Sequence, residues 1–149
     1  MINKIALQQH CLNIVAEKLK STKEEMNLTK EASFEETKSS AGDKFETGRE
    51  MMQQEADKFT RQIEELNKIY RLIDTLNLSK SSEKIEAGSI VKTNLNTFFI
   101  SASLGMVDFQ GEKLMLISAI SPLASALLDK KAGEQITFNS RTYTIEEVY

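Results

Sequence analysis

Apolar residues recur every seven positions in two runs along the first half of the chain. The first run consists of Ile5, Leu12, Leu19 and Met26. Three residues after the last three of these come Val15, Thr22 and Thr29. The second run consists of Met52, Phe59, Leu66 and Ile73. Four residues after the first three of these come Ala56, Ile63 and Tyr70. Because heptad spacing marks helices that pair along one face, the two runs predict two helices of a coiled coil.

A break near residues 40–48 separates the two heptad runs. It contains Gly42 and Gly48, the only glycines in residues 1–77, a segment that otherwise holds helix formers and no proline. The pattern therefore predicts an antiparallel coiled-coil hairpin over residues 1–77, with its bend at 40–48.

The hydrophobic period changes after a polar stretch at 78–84, which we interpret as a linker. The following segments are rich in β-branched and aromatic residues: 89–93, 97–101, 113–117, 135–138 and 142–145. The last two flank Asn139-Ser140 and predict a hairpin, while Ser121-Pro122 predicts the capped start of a short helix. The expected class is α+β, with a compact antiparallel sheet and one short helix over 85–149.

Charge and cysteine content narrow the functional classes. The chain has 149 residues and a net charge of -3, so it lacks the basic excess of a protein that clamps duplex nucleic acid. Its single cysteine excludes a disulfide framework and a cysteine-rich zinc site. No apolar run is long enough for a transmembrane helix, and the N-terminus lacks the apolar core of a signal peptide. We therefore expect a soluble, cytoplasmic protein.

The acidic charge is concentrated at the predicted bend. Residues 31–50 hold six acidic and three basic residues, a difference equal to the net charge of the whole chain. Asp43 and Glu46 lie three positions apart, which places them on one face of a helix. The same two residues also fit a capping box, with Asp43 as the N-cap and Glu46 as the reciprocal acid.

Two motifs make the chain resemble the bacterial Gre transcript-cleavage factors. One is Gly42-Asp43-x-x-Glu46 at the bend. The other is the longer segment Ile120-Ser121-Pro122-Leu123-Ala124-x-Ala126-Leu127-Leu128-x-Lys130-Lys131-x-Gly133-Glu134. The resemblance covers nearly the whole chain. It implies an FKBP-like second half that docks on RNA polymerase at the rim of its secondary channel, and a hairpin that enters the channel.

The resemblance also implies roles for individual residues. Asp43 and Glu46 would be the catalytic carboxylates that help to hold a second Mg²⁺ in the polymerase active centre during hydrolysis of backtracked RNA. The polymerase-docking residues would be Ser121, Pro122, Leu123 and Ala124. The chain would have no cofactor of its own, and it would act on the nascent RNA 3′ end only through RNA polymerase, with no membrane or small-molecule substrate.

The tip of the predicted hairpin, which is its bend, departs from the Gre-family pattern Gly-Asp-Leu-Ser-Glu-Asn-Ala-Glu-Tyr. Thr47, Arg49 and Glu50 replace the Asn, the second Glu and the Tyr, and Lys44 stands next to Asp43. The added cations Lys44 and Arg49 either pair with the acids at the bend or contact RNA phosphates. Lys38 is a further candidate RNA contact, and a solubilising role for all three cations stays open.

Three alternatives to a cleavage factor therefore stay open. One is a Gre-like regulator that occupies the channel and inhibits or modulates the polymerase without cleavage. The second is a coiled-coil adaptor whose β domain binds an unrelated protein, and the third, the weakest, is an FKBP-like enzyme acting on prolyl bonds. The pair His10-Cys11 lacks a nearby acid to orient it, so we assign it to packing.

Overall fold

The computed structural model describes the backbone of residues 1–39 and 43–149 and the side chains of residues 1–32 and 48–149. Within these residues the elements are α1 (Lys4–Ser39), α2 (Asp43–Asp74), β1 (Ile90–Thr93), β2 (Thr97–Ser101), β3 (Gly105–Phe109), β4 (Glu112–Ser118), α3 (Pro122–Leu127), β5 (Gln135–Phe138) and β6 (Arg141–Val148). They form two compact units. The hairpin unit comprises residues 13–70, and the β unit comprises residues 1–12 and 71–149.

The hairpin unit is an antiparallel helix pair, as the heptad runs predict. One groove is lined by Lys18 and Thr22 of α1 and by Gln62 and Leu66 of α2. A second groove brings residues 30 and 31 of α1 beside residues 52 and 56 of α2, so the two helices run in opposite directions. The heptad side chains from residue 19 to residue 29 and from residue 52 to residue 66 are half-buried, whereas most of their neighbours are exposed. Each helix therefore buries a single stripe against the other.

The first turns of α1 correct one of the heptad predictions. Ile5 is 68% exposed, whereas Leu7 and Cys11 are fully buried. These turns belong to the β unit, so their buried face follows an i, i+4 spacing set by the sheet and by the end of α2. The side-chain amide of Gln8 donates to the carbonyl oxygen of Ile73 at 2.8 Å, which ties α1 to that end of α2.

The β unit contains one six-stranded sheet in the order β3-β4-β2-β1-β6-β5. The predicted strands are confirmed, but the prediction of a purely antiparallel sheet is wrong, because β2 and β4 are parallel. The physical reason is β3, a strand that the sequence analysis did not identify. It forms the outer edge and pairs with β4 as an antiparallel hairpin, so β4 returns beside β2 in the same direction.

Two turns with positive φ angles set the hairpins of the sheet. Asn139 and Ser140 have φ angles of 49° and 63°, as expected of a two-residue hairpin turn, and they join β5 to β6 as predicted. Gln110 and Gly111, with φ angles of 50° and 82°, join β3 to β4 in the same way. Both turns match the right-handed twist of the strands that they connect, so they fix the strand register.

Both faces of the sheet are buried. On one face α3 packs on a core cluster that comprises Ile85, Val91, Phe98, Ile100, Ala124, Leu127, Ile136, Tyr143 and Ile145. Strand residues that alternate with these, including Ile90, Phe99, Leu114 and Leu116, are buried on the opposite face. The segment before β1 is anchored at Ile85, whose N–H donates to Lys130 O at 2.9 Å and whose carbonyl accepts from Asp129 N at 3.0 Å. Among the described helices none is long and apolar enough to cross a membrane.

Candidate functional site

Most of the predicted tip site lies outside the residues that the structure describes in side-chain detail. The side chains outside the description are those of residues 33–47, which include Asp43, Glu46, Lys38 and Lys44. The metal-binding and RNA-contact roles of these four residues therefore stay predictions. Arg49, the remaining predicted RNA contact, is an exposed residue of α2.

The described residues hold no cluster of three or more metal-ligating side chains. Within residues 1–32 and 48–149, no group of three or more His, Cys, Asp or Glu side chains is arranged to hold a metal ion. The metal-binding role of the Asp43 and Glu46 carboxylates, which lie outside those residues, stays a prediction.

The second predicted site, Ser121 to Ala124, is a capped helix start. The hydroxyl of Ser121 accepts a hydrogen bond from Ala124 N–H at 3.2 Å, and Pro122 occupies the first helical turn, where its missing N–H costs nothing. The carbonyl of Ser121 accepts from Ser125 N at 2.9 Å, and its own N–H donates to Ser118 O at 3.0 Å. These hydrogen bonds tie the loop before α3 to the end of β4 and to the first turn of α3.

The side chains of this segment divide between the core and the surface. Ala124 is fully buried, and Leu123 is half-buried against the core cluster. Pro122 is exposed and Ser121 is half-buried. Of the predicted docking residues, Ala124 can therefore act only by holding the helix on the core, whereas Pro122 and part of Leu123 are accessible to a partner.

Ile120 is a candidate surface residue that the sequence analysis quoted in the motif but did not assign to docking. It is 89% exposed, although isoleucine is among the residues most often buried. Its N–H lies 3.3 Å from the Ser118 hydroxyl, so the loop holds the side chain outward next to Pro122. No sequence signal predicted this exposure, because an apolar residue directly before an N-cap often packs on the fourth residue of the helix.

His10 and Cys11 form no catalytic pair. Cys11 is fully buried, and burial raises the pKa of its thiol to about 11, so the thiol stays protonated at neutral pH. The ring nitrogen Nε2 of His10 lies 2.9 Å from the carbonyl oxygen of Asp108, and its ring contacts that of Phe109 at a centroid distance of 5.2 Å. Both residues hold α1 against the sheet, as the packing assignment requires.

Comparison with known proteins gives two similar solved structures at low identity and low TM-score. No protein-family model matches the sequence, and no curated protein matches it. The chain is similar to the crystal structure of GreA factor homolog 1 (Gfh1) of Thermus thermophilus, with 19% identity over 93% of this chain and 94% of that chain and a TM-score of 0.36. It is also similar to a structure of the transcription factor Gfh1, with 20% identity over 93% and 92% of the two chains and a TM-score of 0.37. Similarity of this size transfers no functional role to this chain.

Proposed function

We propose that this chain is a Gre-type transcription elongation factor that binds RNA polymerase and stimulates cleavage of backtracked nascent RNA. The observation that carries the proposal is an antiparallel helical hairpin of α1 and α2, and the sequence places the motif Gly42-Asp43-x-x-Glu46 between and at the start of these helices. The second motif, Ser121-Pro122, supports it because it forms a rigid, accessible helix start in the β unit.

The lengths of the helices suit entry into a channel. α1 has 36 residues and α2 has 32, so each helix is on the order of 50 Å long at 1.5 Å per residue. The exposed faces of both helices are polar along most of their length, which suits a water-filled passage through a partner. A thin helix pair of this kind can carry its bend into a site that a globular domain cannot enter.

The proposed chemistry belongs to the polymerase, and the chain adds two carboxylates. Mg²⁺ prefers oxygen ligands and keeps several of its waters, so the Asp43 and Glu46 carboxylates have the right donor chemistry for an ion that the polymerase already shares. A second metal ion in a phosphodiester-hydrolysing site activates water and stabilises the leaving oxygen. In this proposal Asp43 is the direct ligand and Glu46 helps to place the ion or its water. The chain alone is therefore no enzyme.

Docking is assigned to the surface around the cap of α3. This docking surface consists of Ile120, Pro122 and the accessible part of Leu123. Apolar side chains held outward by a rigid loop lose little conformational entropy on binding, which makes them suitable anchors for a protein partner. The partner is RNA polymerase, on the strength of the family resemblance.

The cations at the tip favour one second candidate, a channel-binding regulator that inhibits without cleavage. Lys44 and Arg49 stand beside the two acids in sequence, and a cation that pairs with a carboxylate competes with a metal ion for it. A protein that only blocks the channel needs the shape of the hairpin but not the metal-binding carboxylates.

A transcript-cleavage assay on backtracked complexes of RNA polymerase from the source organism separates these functions. The variants are Asp43→Asn and Glu46→Gln, which remove each charge with almost no change in shape. The matched control is Glu50→Gln, because Glu50 is an exposed acid of α2 near the tip. We expect wild type and the control to shorten the RNA and both tip variants to lose most of that activity.

The alternative outcomes are equally specific. Slowed elongation without RNA shortening, unchanged in both tip variants, would replace the cleavage function with the inhibitory one. No effect of wild type on either cleavage or elongation would reject both functions and leave the adaptor.

A further inference from the structure

A second candidate site lies in the β unit, away from the cap of α3. It is a cavity of about 300 Å³ formed by three separate parts of the chain: residues 1–5, residues 78–81 and Tyr149. Its size is at the lower end of the range that small-molecule sites occupy. We call it the Lys4–Lys80 cavity after the two cations that line it.

The ammonium groups of two lysines and the amide of Asn3 offer hydrogen-bond donors in the cavity. The side-chain oxygen of Asn3 already accepts from Ala6 N at 3.0 Å, which leaves its amide NH₂ as a donor. The hydroxyl of Ser79 already donates its proton to the side-chain oxygen of Asn77 at 2.7 Å, so it can only accept. The ammonium groups of Lys4 and Lys80 can only donate, and no acidic side chain is among the described residues that line the cavity. A ligand that satisfies the two ammonium groups and the Asn3 amide must bring acceptors.

Lys4 is held where its charge is poorly compensated. Partial burial lowers the pKa of its ammonium group, and the carboxylate of Glu86, which opposes this shift, does not outweigh it. Glu86 does not line the cavity. An anion bound beside Lys4 would supply the missing compensation, because an opposite charge nearby favours the charged form of the lysine.

Tyr149 contributes a further donor. The pKa of its phenol is raised mainly by burial and further by the negative charges of Glu112 and Glu147, whereas the positive charge of Lys92 lowers it. The phenol oxygen forms a hydrogen bond with the backbone of Ile2 that favours the ionised form, so Ile2 N–H is the donor in that bond. The phenol proton therefore stays in place and is available to an acceptor.

Apolar side chains line the rest of the cavity. Ile5 is 68% exposed and Leu78 is half-buried, and both belong to the lining. Ile5 is also the heptad residue that α1 does not bury, so an apolar contact at this point is unused. The cavity thus combines cationic and apolar surface.

We propose that the Lys4–Lys80 cavity binds a small organic anion that joins a phosphate or carboxylate head to an apolar body. The head is recognised by Lys4, Lys80 and the Tyr149 hydroxyl, and the body contacts Ile5 and Leu78. This site is independent of the tip carboxylates and of the docking surface.

Isothermal titration calorimetry on the full chain tests the proposal with two amphiphilic anions. Adenosine monophosphate is the phosphate probe, decanoate is the carboxylate probe, and inorganic phosphate is the head alone. The double variant Lys4→Gln with Lys80→Gln removes both cations, and Lys23→Gln is the matched control, since Lys23 is an exposed residue of α1 outside the cavity. Circular dichroism melts check that all variants keep the fold of wild type.

We expect at least one amphiphilic anion to bind one site per chain with a Kd below about 1 mM. We expect the double variant to bind this anion about tenfold or more weakly, since each of the two ammonium groups contributes to the affinity. We expect Lys23→Gln to bind it with the affinity of wild type. Whichever probe binds identifies the head group. Absence of saturable binding by both probes overturns the proposal. It is also overturned if the double variant binds as tightly as wild type, or if inorganic phosphate binds as tightly as the amphiphiles.

Discussion

Replacing Ser121 with alanine removes the N-cap of α3 and should destabilise the β unit by about 1 kcal/mol. The substitution deletes the hydrogen bond from Ala124 N–H to the Ser121 hydroxyl, which is 3.2 Å long and partly buried. Because α3 has only six residues, it has almost no stability of its own and depends on its cap and on the packing of Leu127. A destabilisation of about 1 kcal/mol lowers the ratio of folded to unfolded protein about fivefold.

The assay is urea unfolding followed by near-ultraviolet circular dichroism, in which Tyr143 is a useful reporter. Tyr143 is buried in the core cluster under α3, with its ring 5.9 Å from that of Phe98. The matched variant is Ser121→Asp, because aspartate is an equally good N-cap and should keep the unfolding free energy within about 0.5 kcal/mol of wild type. The reasoning fails if Ser121→Ala unfolds like wild type, or if Ser121→Asp is destabilised as much as Ser121→Ala.

Three further predictions concern the core and the base of α1. Leu127→Ala should lower the unfolding free energy by about 2–5 kcal/mol in the same urea assay, because Leu127 is fully buried, and a decrease under about 1 kcal/mol would contradict the described core. His10→Ala should cost about 1 kcal/mol because it removes the hydrogen bond to Asp108 and the ring packing on Phe109, whereas unchanged stability would contradict this packing role. The Cys11 thiol binds its proton more tightly in the folded than in the unfolded protein, because burial raises its pKa from 9.0 to about 11. The unfolding free energy should therefore be constant below pH 9.0 and fall as the pH rises towards about 11. Cys11→Ala should reduce that fall, and an equal fall in both proteins would contradict the prediction.

The hairpin could be predicted from sequence because its stabilising pattern is local. Heptad spacing indicates which face of each helix is apolar, and the half-buried heptad residues of α1 follow it from Leu19 to Thr29. The prediction was wrong at Ile5, where the first turns of α1 pack on the sheet instead. That change of partner depends on where distant strands lie, which a periodic pattern within one helix does not encode.

In the sheet, too, features set by neighbouring residues could be predicted from the sequence, whereas the pairing of distant strands could not. The turn at Asn139-Ser140 and the cap at Ser121-Pro122 are local signals, and both predictions are confirmed. The parallel pairing of β2 with β4 is not local, because it results from β3 taking the outer edge of the sheet. Strand β3 itself escaped prediction because Gly105 and Asp108 weaken its β-forming pattern.

The candidate sites divide in a similar way. The Asp43 and Glu46 pair is a sequence motif whose side chains lie outside the described residues, so its role stays a prediction. The outward position of Ile120 required the structure, because exposure depends on how the loop turns. The Lys4–Lys80 cavity required it even more, since its lining comes from both ends and the middle of the chain.

Equilibrium binding to purified RNA polymerase tests the central proposal most directly, because both the cleavage and the inhibitory functions require it. We compare wild type with Ile120→Asp, which places a charge on the docking surface, and with Leu95→Asp, the same change at a half-exposed leucine elsewhere in the β unit. We expect saturable binding of wild type, weakened about tenfold or more by Ile120→Asp and unchanged by Leu95→Asp. Absence of wild-type binding would contradict the proposed function, and equal binding of wild type and Ile120→Asp would contradict the docking surface.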